Sequence, residues 1–243
     1  MTPPRVPLFG FPDVFIHAEE SAVKGHPQFR SAKAGNLAAA DRLVAAFEEA
    51  DCVARIGALL DRRTVELVSV HALETEGVNE IPAALVTSLA KRIDRPEEIR
   101  VSGTVVQANS VGHTGASGYQ RLAHQAQFVG RVKSGQGYFL VDDFVGQGGT
   151  LANLIGFIHS HGGEVLGAAV LTGKPYSAKL APDELSIQAL RNKHGNEFEN
   201  WWRERFGFGF DCLTRSEARY LEKSPDAHTI RNRLVAAGLA GSA

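Results

Sequence analysis

The segment at residues 138–151, which reads YFLVDDFVGQGGTL, constrains the fold more than any other part of this chain. An apolar run leads into two adjacent carboxylates, then a glycine-rich turn, then apolar residues at helical spacing. This order predicts a buried strand, a tight turn and a helix, which together form the repeating unit of parallel α/β sheets. Asp142 and Asp143 would then lie at the carboxyl end of the strand, the edge at which open parallel sheets bind ligands.

The turn that follows these carboxylates predicts an anion site. Gly146, Gly148 and Gly149 lack Cβ atoms, so several backbone N–H groups can point at one ligand. The helix that begins near Thr150 adds the positive end of its dipole. An anion would lie where these groups converge, and the carboxylates could hold sugar hydroxyls or a divalent cation. The segment therefore indicates a phosphorylated sugar as the ligand.

Residues 141–150 resemble the phosphoribosyl pyrophosphate (PRPP) loop of type I phosphoribosyltransferases. The family pattern is a hydrophobic run, two acidic residues, three spacers, then Ser or Thr, Gly, any residue and Thr. This sequence departs from it at Gln147, which stands where the family has a phosphate-binding hydroxyl. Gly146, just before it, is also often a hydroxyl residue in the family. The backbone cradle is kept, while an amide with a longer side chain replaces a hydroxyl donor.

The resemblance implies a role for each part of this segment. Asp142 and Asp143 would act at the reaction centre, where they bind the ribose hydroxyls and the sugar linked to Mg²⁺. Gly146, Gln147, Gly148, Gly149 and Thr150 would bind the 5′-phosphate.

The resemblance extends to other segments between about residues 65 and 172, with a spacing most similar to the competence-protein-F branch of the family. A loop that contains Glu76 and Gly77 would bind the pyrophosphate group. A second, glycine-rich loop would close over the substrate and carries His113 and Arg121. Lys174 follows the next strand, near the position of a lysine that contacts the base in hypoxanthine-type relatives.

The predicted pyrophosphate loop is rich in carboxylates, because Glu74, Glu76 and Glu80 surround Gly77. Carboxylates within about 4–6 Å of a diphosphate would repel it strongly. A magnesium ion could bridge the two groups, or the glutamates could face solvent while the N–H of Gly77 makes the contact. As a third alternative, the ligand is a monophosphate and nothing is transferred. The sequence leaves all three open.

The remaining chain alternates strand patterns with helix patterns. We predict an α/β fold: a mostly parallel twisted sheet with helices on both faces, as the resemblance also implies, plus helical terminal extensions. The predicted strands are 65–71, 101–107, 138–141 and 165–172, and the predicted helices are 38–60, 82–92, 122–129 and 151–161.

Three regions follow from this pattern. Residues 38–174 would form the phosphoribosyltransferase-like core, and 1–37 a segment that could serve as a hood over the site. Residues 175–243 would form a helical extension, in which aromatic residues between 197 and 206 share one face and indicate a docking surface. The basic residues at 24–33 are interleaved with an aromatic and could bind phosphate, although an exposed turn is the simpler interpretation.

Composition limits the cellular location and the kinds of partner that we expect for this protein. The formal net charge of −1 gives no drive towards nucleic acid or membranes. No apolar run approaches the roughly 20 residues that span a bilayer, and no secretory signal is evident. We expect Cys52 and Cys212 to be reduced residues that pack in the interior, not partners in a disulfide. We therefore expect a cytoplasmic protein, and the family implies a homodimer.

The leading hypothesis is an enzyme that transfers the phosphoribosyl group of PRPP to a nitrogen nucleophile with release of pyrophosphate, using Mg²⁺. The alternative is a non-catalytic protein that senses PRPP or nucleotides on the same fold. A sugar-phosphate hydrolase or lyase is a third, weaker hypothesis. No residue identifies the acceptor.

Overall fold

The computed structural model describes residues 4–240 except 71–72, 75–76 and 110–116. The strands are β1 (Phe15–Glu19), β2 (Val65–Ser69), β3 (Leu73–Glu74), β4 (Gly77–Val78), β5 (Ile99–Ser102), β6 (Val105–Gln107), β7 (Phe128–Gly130), β8 (Gly137–Val145) and β9 (Glu164–Gly173). The helices are α1 (Glu20–Gly25), α2 (Phe29–Lys33), α3 (Leu37–Phe47), α4 (Ala50–Leu59), α5 (Ile81–Ile93), α6 (Gly118–Ala123), α7 (Gly149–Ser160), α8 (Glu184–His194), α9 (Asn196–Phe206), α10 (Arg215–Glu222) and α11 (Ala227–Ala240).

A five-stranded sheet in the order β1-β9-β8-β2-β5 forms the centre of the fold. Each neighbouring pair in it is parallel. Two short antiparallel pairs, β3 with β4 and β6 with β7, lie outside it. The mostly parallel α/β sheet predicted from the sequence is confirmed.

Strand β8 explains why helices cover both faces of the sheet. Its side chains alternate, so Tyr138 and Leu140 pack in the cluster that contains α7. Phe139 and Val141 pack in the opposite cluster, with α3, α4 and α5. Every residue from 137 to 142 is buried, as expected for a central strand covered on both sides.

Three predicted elements differ in the structure. The helix predicted at 38–60 is broken between α3 and α4, where Glu48 is extended and its carboxylate accepts hydrogen bonds from Ser88 and Arg92 of α5. The strand predicted at 101–107 is divided between β5 and β6. The predicted helix at 122–129 is wrong: α6 ends at Ala123, and Phe128 begins β7. Tertiary contacts decide all three boundaries.

The terminal regions are tied to the core. Strand β1, which the sequence pattern did not reveal, pairs with β9 at one edge of the sheet. Helices α8 to α11 form their own apolar cluster together with α6. The aromatic face of α9 packs inside this cluster, where Phe198 and Trp202 are fully buried. It is therefore an internal surface of the extension.

Candidate functional site

The two carboxylates of the β8 segment have different environments. Both lie within the strand, where successive side chains point to opposite faces of the sheet. Asp142 is 7% exposed, and its Oδ1 accepts a hydrogen bond from the backbone N–H of Asp143 at 2.8 Å. Burial raises the pKa of Asp142 well above its ordinary value; the nearby charge of Asp143 adds to the rise, and Lys33 opposes it. Asp143 is the more exposed member of the pair, with a side chain that is 14% exposed.

Asp143 forms an ion pair with a lysine from a distant part of the chain. The Nζ of Lys33, the last residue of α2, lies 3.0 Å from Oδ2 of Asp143. The next residue, Ala34, contacts the predicted pyrophosphate loop, because an ideal Cβ on Gly77 would lie 2.8 Å from the Ala34 carbonyl oxygen. Gly77 also has a φ of +140°, which favours glycine. The fold therefore brings Gly77, Lys33 and Asp143 to one place.

The glycine-rich turn has the geometry expected of a strand-to-helix loop. Gly148 caps α7 with a φ of 79°, in the left-handed region, and Gly149 begins the helix. An ideal Cβ on Gly148 would lie 2.5 Å from Cδ2 of Leu180. The backbone here passes too close to its neighbours for a larger residue. Arg121 lies beside the turn, with its Nη1 3.6 Å from an ideal Cβ on Gly146.

The C-terminal extension forms a wall behind this turn. The hydroxyl of Ser177 donates a hydrogen bond to the carbonyl oxygen of Gly146. The hydroxyl of Thr214 donates to the carbonyl oxygen of Gln147 at 2.5 Å. Thr214 is also the N-cap of α10, in a capping box with Glu217. Two carbonyl groups of the turn thus accept hydrogen bonds from hydroxyl groups of the C-terminal extension.

A buried ion pair supports the same wall. The Arg5 guanidinium binds both carboxylate oxygens of Glu217, at 2.6 and 3.0 Å, and the two side chains are 1% and 3% exposed. Arg5 Nε also donates to Oδ1 of Asn153 on α7 at 2.6 Å. An ideal Cβ on Gly149 would lie 2.7 Å from Glu217 Oε1. The pair joins the chain's N-terminal segment, α7 and α10 directly beneath the turn.

Further cations gather at the same edge of the sheet. The Nζ of Lys174 lies 2.8 Å from Glu20 Oε2, and the Nζ of Lys24 lies 2.5 Å from Glu20 Oε1. The hydrogen bonds that Glu20 accepts from Lys174 and then from Lys24 lower its pKa, and the bond that Lys174 donates to Glu20 raises the pKa of Lys174. The Lys24 ammonium also lies 4.6 Å from the ring centroid of Phe144. The edge that carries Asp143 is therefore rich in basic groups.

Not every predicted site residue can be located. Glu76 and His113 lie outside the described residues, and only the backbone of Glu74 is described. Gln147 lies in the turn, and its Oε1 is buried without a hydrogen-bond partner in the described part of the chain. Sequence reasoning did not assign Lys33 to Asp143, although its basic segment was visible. Nothing in the local pattern of Arg5 could have revealed its partner at position 217.

The carboxylates supply only part of a metal site. Among the described residues, no group of three or more His, Cys, Asp or Glu side chains could hold a metal ion. Asp142 and Asp143 offer hard oxygen ligands of the kind that Mg²⁺ prefers. Asp143, the more exposed of the two, fits an ion that brings most of its other ligands with a bound substrate.

Comparisons with known proteins identify similar proteins but do not assign this chain to a family. No family model matches this chain. It is 36% identical to protein TraN of Escherichia coli over 233 residues, which is 96% of this chain and 51% of TraN. It is 34% identical over 148 residues to an uncharacterized protein of Haemophilus influenzae, covering 61% of this chain and 32% of that protein. The chain spans about half the length, or less, of these curated relatives.

Solved structures overlap the chain only in part. A hypoxanthine phosphoribosyltransferase from Staphylococcus aureus matches 52% of this chain and 61% of its own, with a TM-score of 0.37 and 18% identity. An adenine phosphoribosyltransferase from Leishmania donovani matches 65% of this chain and 58% of its own, with a TM-score of 0.34 and 14% identity. The α/β assignment rests on the strand order and register above, because these overlaps are too weak to carry it. No helix in the described ranges is long and apolar enough to cross a membrane.

Proposed function

We propose that this protein binds PRPP at the carboxyl edge of its sheet and transfers the phosphoribosyl group to a nitrogen nucleophile. The observation that carries the proposal is the common location of four parts: the Asp143 carboxylate, the glycine turn before α7, Lys33 and Gly77. A sugar with a phosphate at one end and a diphosphate at the other requires these chemical groups in this order.

The turn at 146–150 would hold the 5′-phosphate. Its N–H groups and the N-terminus of α7 favour an anion, and the Arg121 guanidinium lies beside Gly146. Thr150, in the first turn of α7, would add a hydroxyl. Gln147 is the irregular member, because its amide stands where a short hydroxyl side chain would otherwise donate.

The diphosphate would lie on the side of Lys33 and Gly77. Lys33 supplies a cation close to Asp143. The backbone N–H of Gly77 would supply a neutral donor. Asp142 or Asp143 would hold Mg²⁺, and the chemistry that the ion would supply is positive charge to stabilise the leaving diphosphate.

The transfer would break the bond between ribose C1 and the diphosphate oxygen, whose electron pair leaves with pyrophosphate. The nitrogen lone pair of the acceptor forms the new bond to C1, and the proton of that nitrogen passes to solvent or to the pyrophosphate. The chain's own contribution is positioning and electrostatic stabilisation, since no covalent intermediate with protein is required. Asp143, the more exposed carboxylate, would orient the ribose hydroxyls.

A binding protein that senses PRPP is the second candidate. Gln147 favours it, because a buried amide oxygen without a described partner is a poor substitute for a phosphate-binding hydroxyl. The same site would then hold the ligand without supplying the geometry for displacement.

Thermal-shift measurements with PRPP and with ribose 5-phosphate, each with and without Mg²⁺, test the site. We expect magnesium-dependent stabilisation by PRPP that exceeds the effect of the monophosphate. Asp143→Asn should remove the PRPP response and leave the melting temperature without ligand near that of the wild type. Asp41→Asn, an exposed carboxylate on α3, is the matched control. Equal stabilisation by both sugars would overturn the diphosphate assignment.

Pyrophosphate release separates the two candidates. With PRPP, Mg²⁺ and a panel of bases and amines, a transferase releases pyrophosphate in step with loss of the acceptor. Stabilisation by PRPP without release across the panel would instead support the sensing protein.

A further inference from the structure

A groove beside the glycine turn has no role in the function proposed so far. It has a volume of about 400 Å³ and lies between α10 and the short 3₁₀ turn at Pro175–Ser177. We call it the α10 groove; the residues that matter for its chemistry are Tyr176, Arg215, Ser216, Arg219, Glu222 and Lys223. This volume is within the roughly 300–1,000 Å³ range of sites for small molecules.

The charge of the groove is strongly biased. Arg215, Arg219 and Lys223 are four residues apart and therefore share one face of α10, while Glu222 is the single carboxylate in the lining. Arg215 is partly engaged, because its Nε lies 3.9 Å from Asp183 Oδ2. The formal charge of the lining is positive, although the whole chain carries −1. An anionic ligand fits this bias.

One wall of the groove is aromatic. Tyr176 is 56% exposed, which is unusual for a large ring, and the Arg219 guanidinium lies 5.5 Å from its ring centroid. A planar ligand can stack on such a ring while its negative group meets the cations. The groove thus offers a flat apolar surface and positive charge side by side.

The groove adjoins the turn that would hold the sugar phosphate. The hydroxyl of Ser216 lies 3.0 Å from the hydroxyl of Ser177, which donates to the carbonyl oxygen of Gly146. Two hydroxyl groups therefore separate the lining of the groove from the backbone of the turn. Tyr176 precedes Ser177 directly, at the end of the strand beside β8.

We infer that the α10 groove is a separate binding site for a planar small molecule with a carboxylate or phosphate group. The inference rests on the charge and the aromatic wall of the groove, and it does not depend on the proposed transfer. Arg219 and Lys223 would meet the negative group, and Tyr176 would stack on the plane.

Acid and amide pairs of equal shape test the charge preference. Binding of nicotinate against nicotinamide, and of 4-aminobenzoate against 4-aminobenzamide, is measured by calorimetry on the wild-type protein. The same titrations are run on the double variant Arg219→Gln/Lys223→Gln. Lys91→Gln, an exposed lysine near the end of α5, is the matched control. Circular dichroism and the melting temperature without ligand verify that each variant is folded.

We expect the wild type and Lys91→Gln to prefer each acid. The double variant should bind the acids about tenfold or more weakly, as expected for loss of charge-assisted contacts, and the amides unchanged. Its thermal response to PRPP should equal that of the wild type. No acid preference in the wild type, or a preference that survives in the double variant, overturns the inference.

Two further outcomes separate this inference from the proposed function. If the double variant loses its PRPP response, the groove belongs to the sugar-phosphate site and the inference is overturned. If the acid preference depends on Arg219 and Lys223 in a protein that never responds to PRPP, the anion groove is supported and the transferase proposal fails.

Discussion

The two halves of the candidate site are built from different kinds of contact. In the loop half, the turn at 146–150 rests on a buried wall, with the Arg5–Glu217 pair only 1% and 3% exposed. In the carboxylate half, Lys33 and Asp143 form a pair whose side chains are 21% and 14% exposed. Water can replace a contact in the second half but not in the first. Changes in the loop half should therefore reduce stability, and changes in the carboxylate half should reduce ligand binding.

The largest effect is expected from Glu217→Ala, in the loop half. Removing one member of a buried ion pair leaves the Arg5 charge without compensation and should lower the free energy of unfolding by about 3–5 kcal/mol. Chemical denaturation measures this loss. The control is Glu164→Ala, whose pair with Arg63 is 57% and 46% exposed and should be worth about 1 kcal/mol or less. Equal losses in the two variants would mean that the wall does not brace the turn.

Lys33→Gln tests the carboxylate half. The free energy of unfolding should change little, while PRPP binding should weaken by about 1.5–3 kcal/mol because a charge-assisted contact to diphosphate is lost. Binding of ribose 5-phosphate, which has no diphosphate, should be unaffected. Calorimetry with both ligands, beside the Lys91→Gln control, gives the comparison. Parallel losses for both sugars would move Lys33 out of the diphosphate role.

Gly148→Ala returns to the loop half. Its φ of 79° and the approach of Leu180 to 2.5 Å both oppose a side chain, so a loss of about 1–3 kcal/mol in stability is expected. Gly57→Ala provides a control of opposite sign. Gly57 lies within α4, and an ideal Cβ there meets nothing within 4 Å, so alanine should stabilise by about 0.5–1 kcal/mol. A neutral Gly148→Ala variant would show that the turn can relax.

The smallest effect is a change in the pH dependence caused by Asp142→Asn. Because the folded pKa of Asp142 is raised by burial, its contribution to stability is fully present below the ordinary pKa of aspartate. That contribution is lost as pH rises through the raised pKa, because the folded state then binds more protons than the unfolded state.

Asparagine does not titrate, so the variant should lose stability less steeply than the wild type as pH rises. Denaturation at a series of pH values measures the two slopes, with Asp41→Asn as the control. Superimposable slopes would contradict the raised pKa.

Much of the fold could be predicted from local sequence patterns. The apolar run before Asp142, the glycine turn and the helix after it appear in the structure as β8, the turn and α7, because each depends on neighbouring residues. The capping box of α10, formed by Thr214 and Glu217, likewise depends on residues only three positions apart. Strand β1 was not predicted, because a five-residue edge strand has little periodicity of its own. The strand is defined by its pairing with β9. The break between α3 and α4 depends on contacts with α5.

The sequence by itself determined the sheet class and the location of a carboxylate–glycine–helix segment, since these follow from hydrophobic period and backbone freedom within a few residues. Only the tertiary structure decided which charges surround that segment. Lys33 reaches Asp143 across 110 positions, and Arg5 reaches Glu217 across 212. Such pairs form because tertiary packing brings a helix end or a terminal segment against another element, and no local pattern encodes that contact. The same packing gives the phosphate turn a buried support and leaves the Lys33–Asp143 pair partly exposed.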